Sequence, residues 1–74
     1  MKRKFSEQYQ KLGLNIAYYR KARKLSQECL AEKINVSRTH VSRIETGDCA
    51  VSLDVLFAIS DILKVTPEKL FEFR

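Results

Sequence analysis

The sequence has few residues that interrupt helices or that build cross-linked or metal-bound folds. It contains two glycines, one proline and no tryptophan in 74 residues. Strand-like alternation of polar and apolar residues is missing too, so an all-α chain is predicted. The two cysteines, Cys29 and Cys49, are too few for a disulfide framework and too far apart for a CxxC motif, and His40 is the one histidine. We therefore expect no metal, no cofactor and no small-molecule site.

Long apolar runs are also lacking. No stretch approaches the ~20 apolar residues that span a membrane, and the basic start of the chain is followed by polar residues rather than a signal-peptide core. The sequence thus predicts a cytoplasmic protein with reduced thiols and no membrane contact. Its length predicts one domain, 1–74, with a small core, and the absence of a histidine–nucleophile pair or paired carboxylates argues against an enzyme.

Positive charge is concentrated at one end of the chain. Fourteen Lys and Arg oppose nine Asp and Glu, which gives a net charge of +5. Residues 1–24 carry eight basic side chains and one acidic, whereas 25–46 are balanced and 47–74 slightly acidic. This asymmetry indicates an anionic partner, such as nucleic acid or an acidic membrane surface, although the net charge alone also fits a merely solubilising surface.

Capping signals divide the chain into five predicted helices. Serine or threonine marks the helix starts, proline follows one of them, and asparagine or glycine marks two of the ends. The predicted helices cover about 6–24, 27–34, 38–46, a fourth from 53 with Leu53, Leu56, Ile59 and Leu63 toward the core, and a short fifth from 67 to near Phe73.

The second and third predicted helices have the spacing of a helix-turn-helix. At ~100° per residue, four hydrogen-bonding side chains share one side of the third helix: Arg38, Thr39, Ser42 and Arg43. Val41 and Ile44 lie opposite. An outer face with such donors and no carboxylate suits the base edges of a DNA major groove, and a solvated polar face is the alternative interpretation.

Longer motifs extend this pattern over residues 12–71. They are Leu12-Gly13-x-x-Ile16-x-x-x-Arg20, Leu25-Ser26-Gln27-x-x-Leu30-Ala31-x-x-Ile34-x-Val36-Ser37, Val41-Ser42-Arg43-Ile44-Glu45-x-Gly47, Ser52-Leu53-x-x-Leu56-x-x-Ile59 and Leu63-x-Val65-x-x-x-x-Leu70-Phe71. With these motifs the chain resembles the Cro/cI-type helix-turn-helix regulators, also called xenobiotic-response-element regulators. The resemblance implies a compact five-helix bundle of the lambda-repressor-like DNA-binding type.

The resemblance also implies roles for individual residues. The helix-turn-helix would cover 27–46, with 38–46 as the recognition helix whose base-reading residues are Arg38, Thr39, Ser42 and Arg43. Arg20 and Glu45 would form a structural pair between the first and third helices. Contacts to the DNA backbone are expected from Gln27, Ser37, Thr46, Arg20, Lys21, Arg23 and Lys24, together with Lys2, Arg3 and Lys4 in a basic arm over residues 1–7.

Two departures from the family pattern stand out. Asn35 occupies a turn position where the family usually has glycine, so a slightly strained turn is expected. The loop 48–51, which often carries a basic residue in the family, has none here. The arm and the cations at the end of the first helix are expected to compensate.

The sequence therefore predicts a sequence-specific regulator, a repressor, that binds double-stranded DNA. A homodimer on a palindromic operator is expected, because this motif commonly reads two half-sites. Surplus apolar residues near the end of the chain form the predicted self-association patch: Phe57, Ile62, Leu70, Phe71 and Phe73. The same surplus keeps open an alternative, an antitoxin-like or adaptor module that binds another protein through this fold.

Overall fold

Five helices account for most of the chain. The computed structural model describes residues 4–73, and the helices in this range are α1 (Ser6–Ala22), α2 (Gln27–Ile34), α3 (Arg38–Thr46), α4 (Leu53–Leu63) and α5 (Pro67–Leu70). Residues 4–73 contain no strand, so the predicted all-α five-helix fold is confirmed. The Cα radius of gyration, 11.2 Å, matches the ~11 Å expected for a compact chain of this length.

Serine side chains start three of the helices, as predicted. The Oγ atoms of Ser26, Ser37 and Ser52 accept hydrogen bonds from the backbone N–H three residues later, at 3.0, 3.0 and 3.2 Å. Each bond satisfies one of the N–H groups that a helix start leaves unpaired. Thr66 precedes α5 but makes no such bond, and Pro67 in the first turn sets the start of that helix instead.

Two helices end earlier than predicted. α1 ends at Ala22 because Lys24 adopts a left-handed backbone with φ 59°, and the N–H of Leu25 turns back to the carbonyl of Arg20 at 3.1 Å. α5 ends at Leu70, so Phe71–Phe73 lies beyond its last turn. Neither end carries the glycine that marks most such stops, which is why the pattern placed them too late.

The turn between α2 and α3 is tight because Asn35 is left-handed. Its φ and ψ are 62° and 47°, and the N–H of Val36 donates to the carbonyl of Ala31 at 3.0 Å. Asparagine reaches this conformation more readily than most residues other than glycine. The turn therefore closes without the glycine that is usual in the family, and it keeps the end of α2 close to the start of α3.

The core lies where the helices converge. It consists of ten buried apolar residues: Leu12, Ile16, Leu30, Ala31, Val41, Ile44, Leu56, Ile59, Leu63 and Leu70. Leu53 corrects the prediction for α4, since 64% of it is exposed at the first turn of that helix, outside the reach of the core. Within residues 4–73, no helix has the length and apolar character that crossing a lipid bilayer requires.

Gly13 sets the distance between α1 and α3. A Cβ atom on Gly13 would overlap the backbone carbonyl oxygens of Ile44 and Glu45, near the end of α3. A hydrogen at this position lets the two helix backbones touch, which no larger side chain permits. This close crossing fixes the distance between α3 and α1.

Replacement of Gly13 by alanine is expected to lower the free energy of unfolding by about 1–3 kcal/mol, because the added methyl meets rigid backbone rather than a side chain that can move. Urea unfolding followed by circular dichroism measures this loss. Lys21→Ala is the matched control, since Lys21 is exposed on the same helix and its loss removes little packing. Equal stability of Gly13→Ala and the wild type would contradict the close-contact account.

Candidate nucleic-acid interface

The third helix has one buried side and one free side. Val41 and Ile44 are each 1% exposed and pack into the core between α1 and α2. Opposite them, Arg38, Thr39 and Arg43 are exposed, and Ser42 is half-buried. The structure thus brings the four predicted base-reading residues together on one accessible face that carries no carboxylate. Their role in reading bases stays a prediction.

A buried ion pair fastens this helix to α1. Nε of Arg20 donates to Oε2 of Glu45 at 2.6 Å, and Nη2 donates to Oε1 at 3.1 Å. The third arm of the guanidinium, Nη1, donates to the carbonyl of Leu25 at 2.7 Å. Both residues are only 8% exposed. The structure therefore places Arg20 and Glu45 as the pair that the family resemblance implied, and it does so with fork-to-fork geometry.

Gln27, in the first turn of α2, extends this network toward solvent. Its Nε2 donates to Oε1 of Glu45 at 2.9 Å, and its Oε1 accepts from Nη1 of Arg38 at 3.4 Å. The family resemblance assigned Gln27 to the DNA backbone and did not connect it to Glu45. In the sequence, Glu45 and Arg38 lie 18 and 11 positions from Gln27. No local sequence signal marks such contacts.

Two of the predicted backbone cations are bonded to the protein, Arg20 completely and Arg23 only in part. Arg20 is buried and bonded to protein acceptors by all three of its guanidinium nitrogens, so it anchors α1 to α3 rather than facing a phosphate. Nε of Arg23 donates to the carbonyl of Leu63 at 2.9 Å and so turns toward the end of α4. The unpaired carbonyls at a helix end attract such donors, and the charge pattern alone did not reveal them.

The other side chains that were expected to contact the DNA backbone differ in whether they already bond within the protein. Lys21, in the last turn of α1, and Lys24, just after that helix, are exposed. Lys4 is also exposed, with its ammonium 5.5 Å from the centre of the Phe5 ring. Lys2 and Arg3 lie outside the described residues. Ser37 Oγ is engaged as a helix cap, and the hydroxyl of Thr46 donates to backbone carbonyls of α3.

The exposed apolar residues gather on another face, and they are only partly those predicted. Two adjoining recesses of about 400 and 260 Å³ share Phe73. Of the seven large apolar side chains that are exposed within residues 4–73, six line these recesses: Phe5, Leu14, Tyr18, Leu53, Phe71 and Phe73. We call these six residues the apolar face.

Three residues of the predicted self-association patch do not belong to the apolar face. Leu70 is fully buried and closes the core, so it has no surface to offer another chain. Ile62 lines a different recess, among Arg23, Lys33 and Lys64. Phe57 is 52% exposed but lines neither apolar recess. Apolar residues lie on both the inner and the outer side of α4, so helical spacing separated the two sides less sharply there than in α3.

Comparison with known proteins identifies the class. Residues 16–70 match the HTH_3 helix-turn-helix family model, and the chain belongs to this family. It is 45% identical to the control protein C.BamHI of Bacillus amyloliquefaciens over 49 residues, which are 66% of this chain and 60% of C.BamHI. It is 39% identical over 59 residues to the HTH-type transcriptional regulator MJ0272 of Methanocaldococcus jannaschii, with 80% of this chain and 89% of that protein covered.

Solved structures show the same fold. The restriction-modification controller protein C.AhdI from Aeromonas hydrophila superposes with a TM-score of 0.82 at 33% identity, over 85% of this chain and 96% of C.AhdI. The clp gene regulator ClgR from Corynebacterium glutamicum also gives a TM-score of 0.82, at 24% identity, over 84% of this chain and 66% of ClgR. The arrangement of the five helices is thus shared with regulators that differ widely in sequence.

Removal of Arg20 is expected to destabilise the fold strongly. Arg20→Met leaves the Glu45 carboxylate buried without its cation, which typically lowers the free energy of unfolding by about 3–5 kcal/mol. Thermal and urea unfolding measure the loss, with Lys21→Met at the exposed neighbouring position as control. The double variant Arg20→Met with Glu45→Met is expected to be more stable than Arg20→Met alone. A double variant that is no more stable would contradict this account of the pair.

Proposed function

We propose that this protein is a sequence-specific regulator of transcription that binds double-stranded DNA with α3 in the major groove. Family membership supports the general class, and the regulators and controllers among its relatives support the role in gene control. Occupation of an operator excludes other proteins from the same DNA, so repression is the proposed outcome. The proposed role is regulatory rather than catalytic, and its proposed location is the cytoplasm.

The single observation that carries this proposal is the exposed face of α3. Arg38, Thr39 and Arg43 project from a helix whose opposite side is locked into the core. Arginine pairs with two acceptors of guanine in the major groove, and the threonine methyl fits against thymine. Five residues, or ~7.5 Å of helix rise, separate the two arginines, which is about two base-pair steps. We propose that they read different base pairs of one half-site.

We further propose that the protein acts as a homodimer through the apolar face and reads a palindromic operator. The face gathers six exposed apolar residues, two of which, Phe71 and Phe73, have ring centres 6.2 Å apart. A contiguous apolar surface of this kind marks an association site, and a second copy of the chain is an occupant that supplies an identical surface. Self-association accounts for the surplus aromatic surface without the antitoxin-like or adaptor role.

Of the systems in which such a regulator acts, the restriction–modification setting named for C.AhdI is the one we propose. In-vitro selection from random duplex DNA would yield the preferred operator. We expect that sequence upstream of the gene for this protein and of a neighbouring restriction or methyltransferase gene. An operator found only at unrelated genes would overturn this setting while leaving DNA binding intact.

Arg38→Ala is expected to weaken binding to the selected operator by about 1–3 kcal/mol, because one bidentate base contact is lost. Preference at one base position of each half-site should relax, and preference at the other positions should remain. Fluorescence anisotropy on the operator and on its single-base variants measures both effects. Lys69→Ala is the control, since Lys69 is exposed on α5 and forms an ion pair with Glu72. Equal losses on operator and random DNA would argue against base reading.

Leu53→Lys with Phe71→Lys is expected to convert the dimer to a monomer, because two charges enter the apolar face. Sedimentation equilibrium measures the oligomeric state, and binding to the palindrome should weaken while binding to a single half-site changes little. Phe57→Lys, exposed but off this face, should leave the dimer intact. A wild-type protein that stays monomeric at tens of micromolar, or a double variant that still dimerises, would refute the assignment of this face.

A further inference from the structure

A buried amide on α1 bonds to the chain at the end of α5. Asn15 is 8% exposed, and its Nδ2 donates to the carbonyl of Leu70 at 2.8 Å and to the carbonyl of Glu72 at 3.2 Å. An amide NH₂ group has two hydrogens, and the two carbonyl oxygens require both, so the orientation of this amide is determined by its partners. One side chain thus holds the chain on both sides of Phe71.

Backbone bonds do not tie the segment 71–73 to a distant part of the molecule. Within residues 4–73, the N–H groups of this segment donate to carbonyls only two or three positions earlier. α5 has four residues, too few for a helix that is stable on its own, so it gives the segment no rigid support. The two Asn15 bonds are therefore the hydrogen bonds that join this part of the chain to another helix.

The segment 71–73 carries two aromatic rings of the apolar face. Phe71 and Phe73 are 49% and 39% exposed, with ring centres 6.2 Å apart, so burial in the core does not fix them. Asn15 lines the smaller apolar recess beside Phe73, together with Leu14 and Tyr18 of α1. The amide therefore lies where it sets the position of both rings relative to the part of the apolar face that belongs to α1.

We propose that Asn15 is a positioning residue for self-association: its two bonds hold Phe71 and Phe73 in the arrangement that a second copy of the chain contacts. This rests on the proposed homodimer and adds to it, because Asn15 is not one of the six residues of the apolar face. Side chains that are already ordered lose less conformational freedom when two chains associate. Without the bonds, association would have to order the segment first, and the dimer would be weaker.

Asn15→Leu tests the proposal, because leucine has a similar size and offers no donor to the two carbonyls. Sedimentation equilibrium should show a dimer Kd at least ~10-fold higher than that of the wild type, since two freed aromatic side chains must be ordered again in each chain. Lys69→Ala is the matched control: it removes the exposed ion pair with Glu72 in the same part of the chain and should leave the Kd within about twofold. Circular dichroism checks that both variants are folded.

Amide NMR measures the order of the segment directly. In the wild type, the heteronuclear NOE of the Glu72 and Phe73 amides should match that of the amides in α4, and Asn15→Leu should lower it. Low values in the wild type would overturn the proposal even if Asn15→Leu failed to fold. Unchanged values in a folded Asn15→Leu variant would overturn it as well, since another contact would then hold the segment.

A double-variant cycle separates positioning from a general effect on the fold. In the background of Phe73→Ala, Asn15→Leu should raise the dimer Kd by a smaller factor than in the wild type, because part of what the amide positions is gone. Equal factors in folded variants would mean that Asn15 acts through its own surface or through the fold, which contradicts the proposal.

Binding to DNA distinguishes failure of this inference from failure of the proposed function. Asn15→Leu should weaken binding to the palindromic operator and leave binding to a single half-site unchanged. A wild-type dimer whose Kd is not altered by Asn15→Leu would refute the role of Asn15 alone. A wild type that stays monomeric would refute the proposed homodimer, and this role with it.

Discussion

The contact between α1 and α3 is the constraint on which the rest of the structure depends. α3 has nine residues, too few for a helix that is stable on its own in water, so its shape and direction come from its neighbours. Gly13 brings its backbone against that of α1, and the Arg20–Glu45 pair prevents rotation about this point. Together with the packing of Val41 and Ile44 into the core, these two contacts define how the exposed side of α3 is oriented relative to the remaining helices.

α1 also carries part of the surface that we propose for self-association. Leu14 and Tyr18 lie on α1, and Phe5 immediately precedes this helix. Asn15 of α1 donates to the carbonyls of Leu70 and Glu72 at 2.8 and 3.2 Å. These bonds hold the segment that carries Phe71 and Phe73. α1 is therefore the common frame of the two proposed interfaces. In a dimer, this frame would set the distance between the two copies of α3, and hence the half-site spacing near one DNA turn.

The helix starts could be predicted from local sequence, whereas the features that could not be predicted depend on contacts between distant residues. Serine caps act over three residues, so the starts of α2, α3 and α4 could be placed from sequence. The inner and outer sides of α3 followed from its period, because apolar and polar residues are cleanly separated on that helix. Fold class and the face that would meet DNA were therefore accessible without coordinates.

Tertiary packing determined the features that the sequence did not reveal. Arg23 turns to the end of α4, and its partner Leu63 is 40 residues away. Leu53 and Leu70 have the same residue type, yet Leu53 is largely exposed and Leu70 is fully buried in the core. The bond between Gln27 and Glu45 joins residues of separate helices. In each case the outcome depends on where a distant element packs, which composition and periodicity do not encode.

The free side of α3 has a consequence for how this protein can diversify. Thr39 and Arg43 contribute almost nothing to packing, and exposed substitutions of this kind usually change stability by less than ~0.5 kcal/mol. With the proposed base-reading role, mutation at these positions would change the target sequence while the fold persists. Duplicated copies of the gene would then acquire different operators through a few changes on this face. Position 38 is the exception, because Arg38 donates a hydrogen bond to Gln27. A new residue at position 38 must therefore be compatible with Gln27, so the two positions are expected to change together.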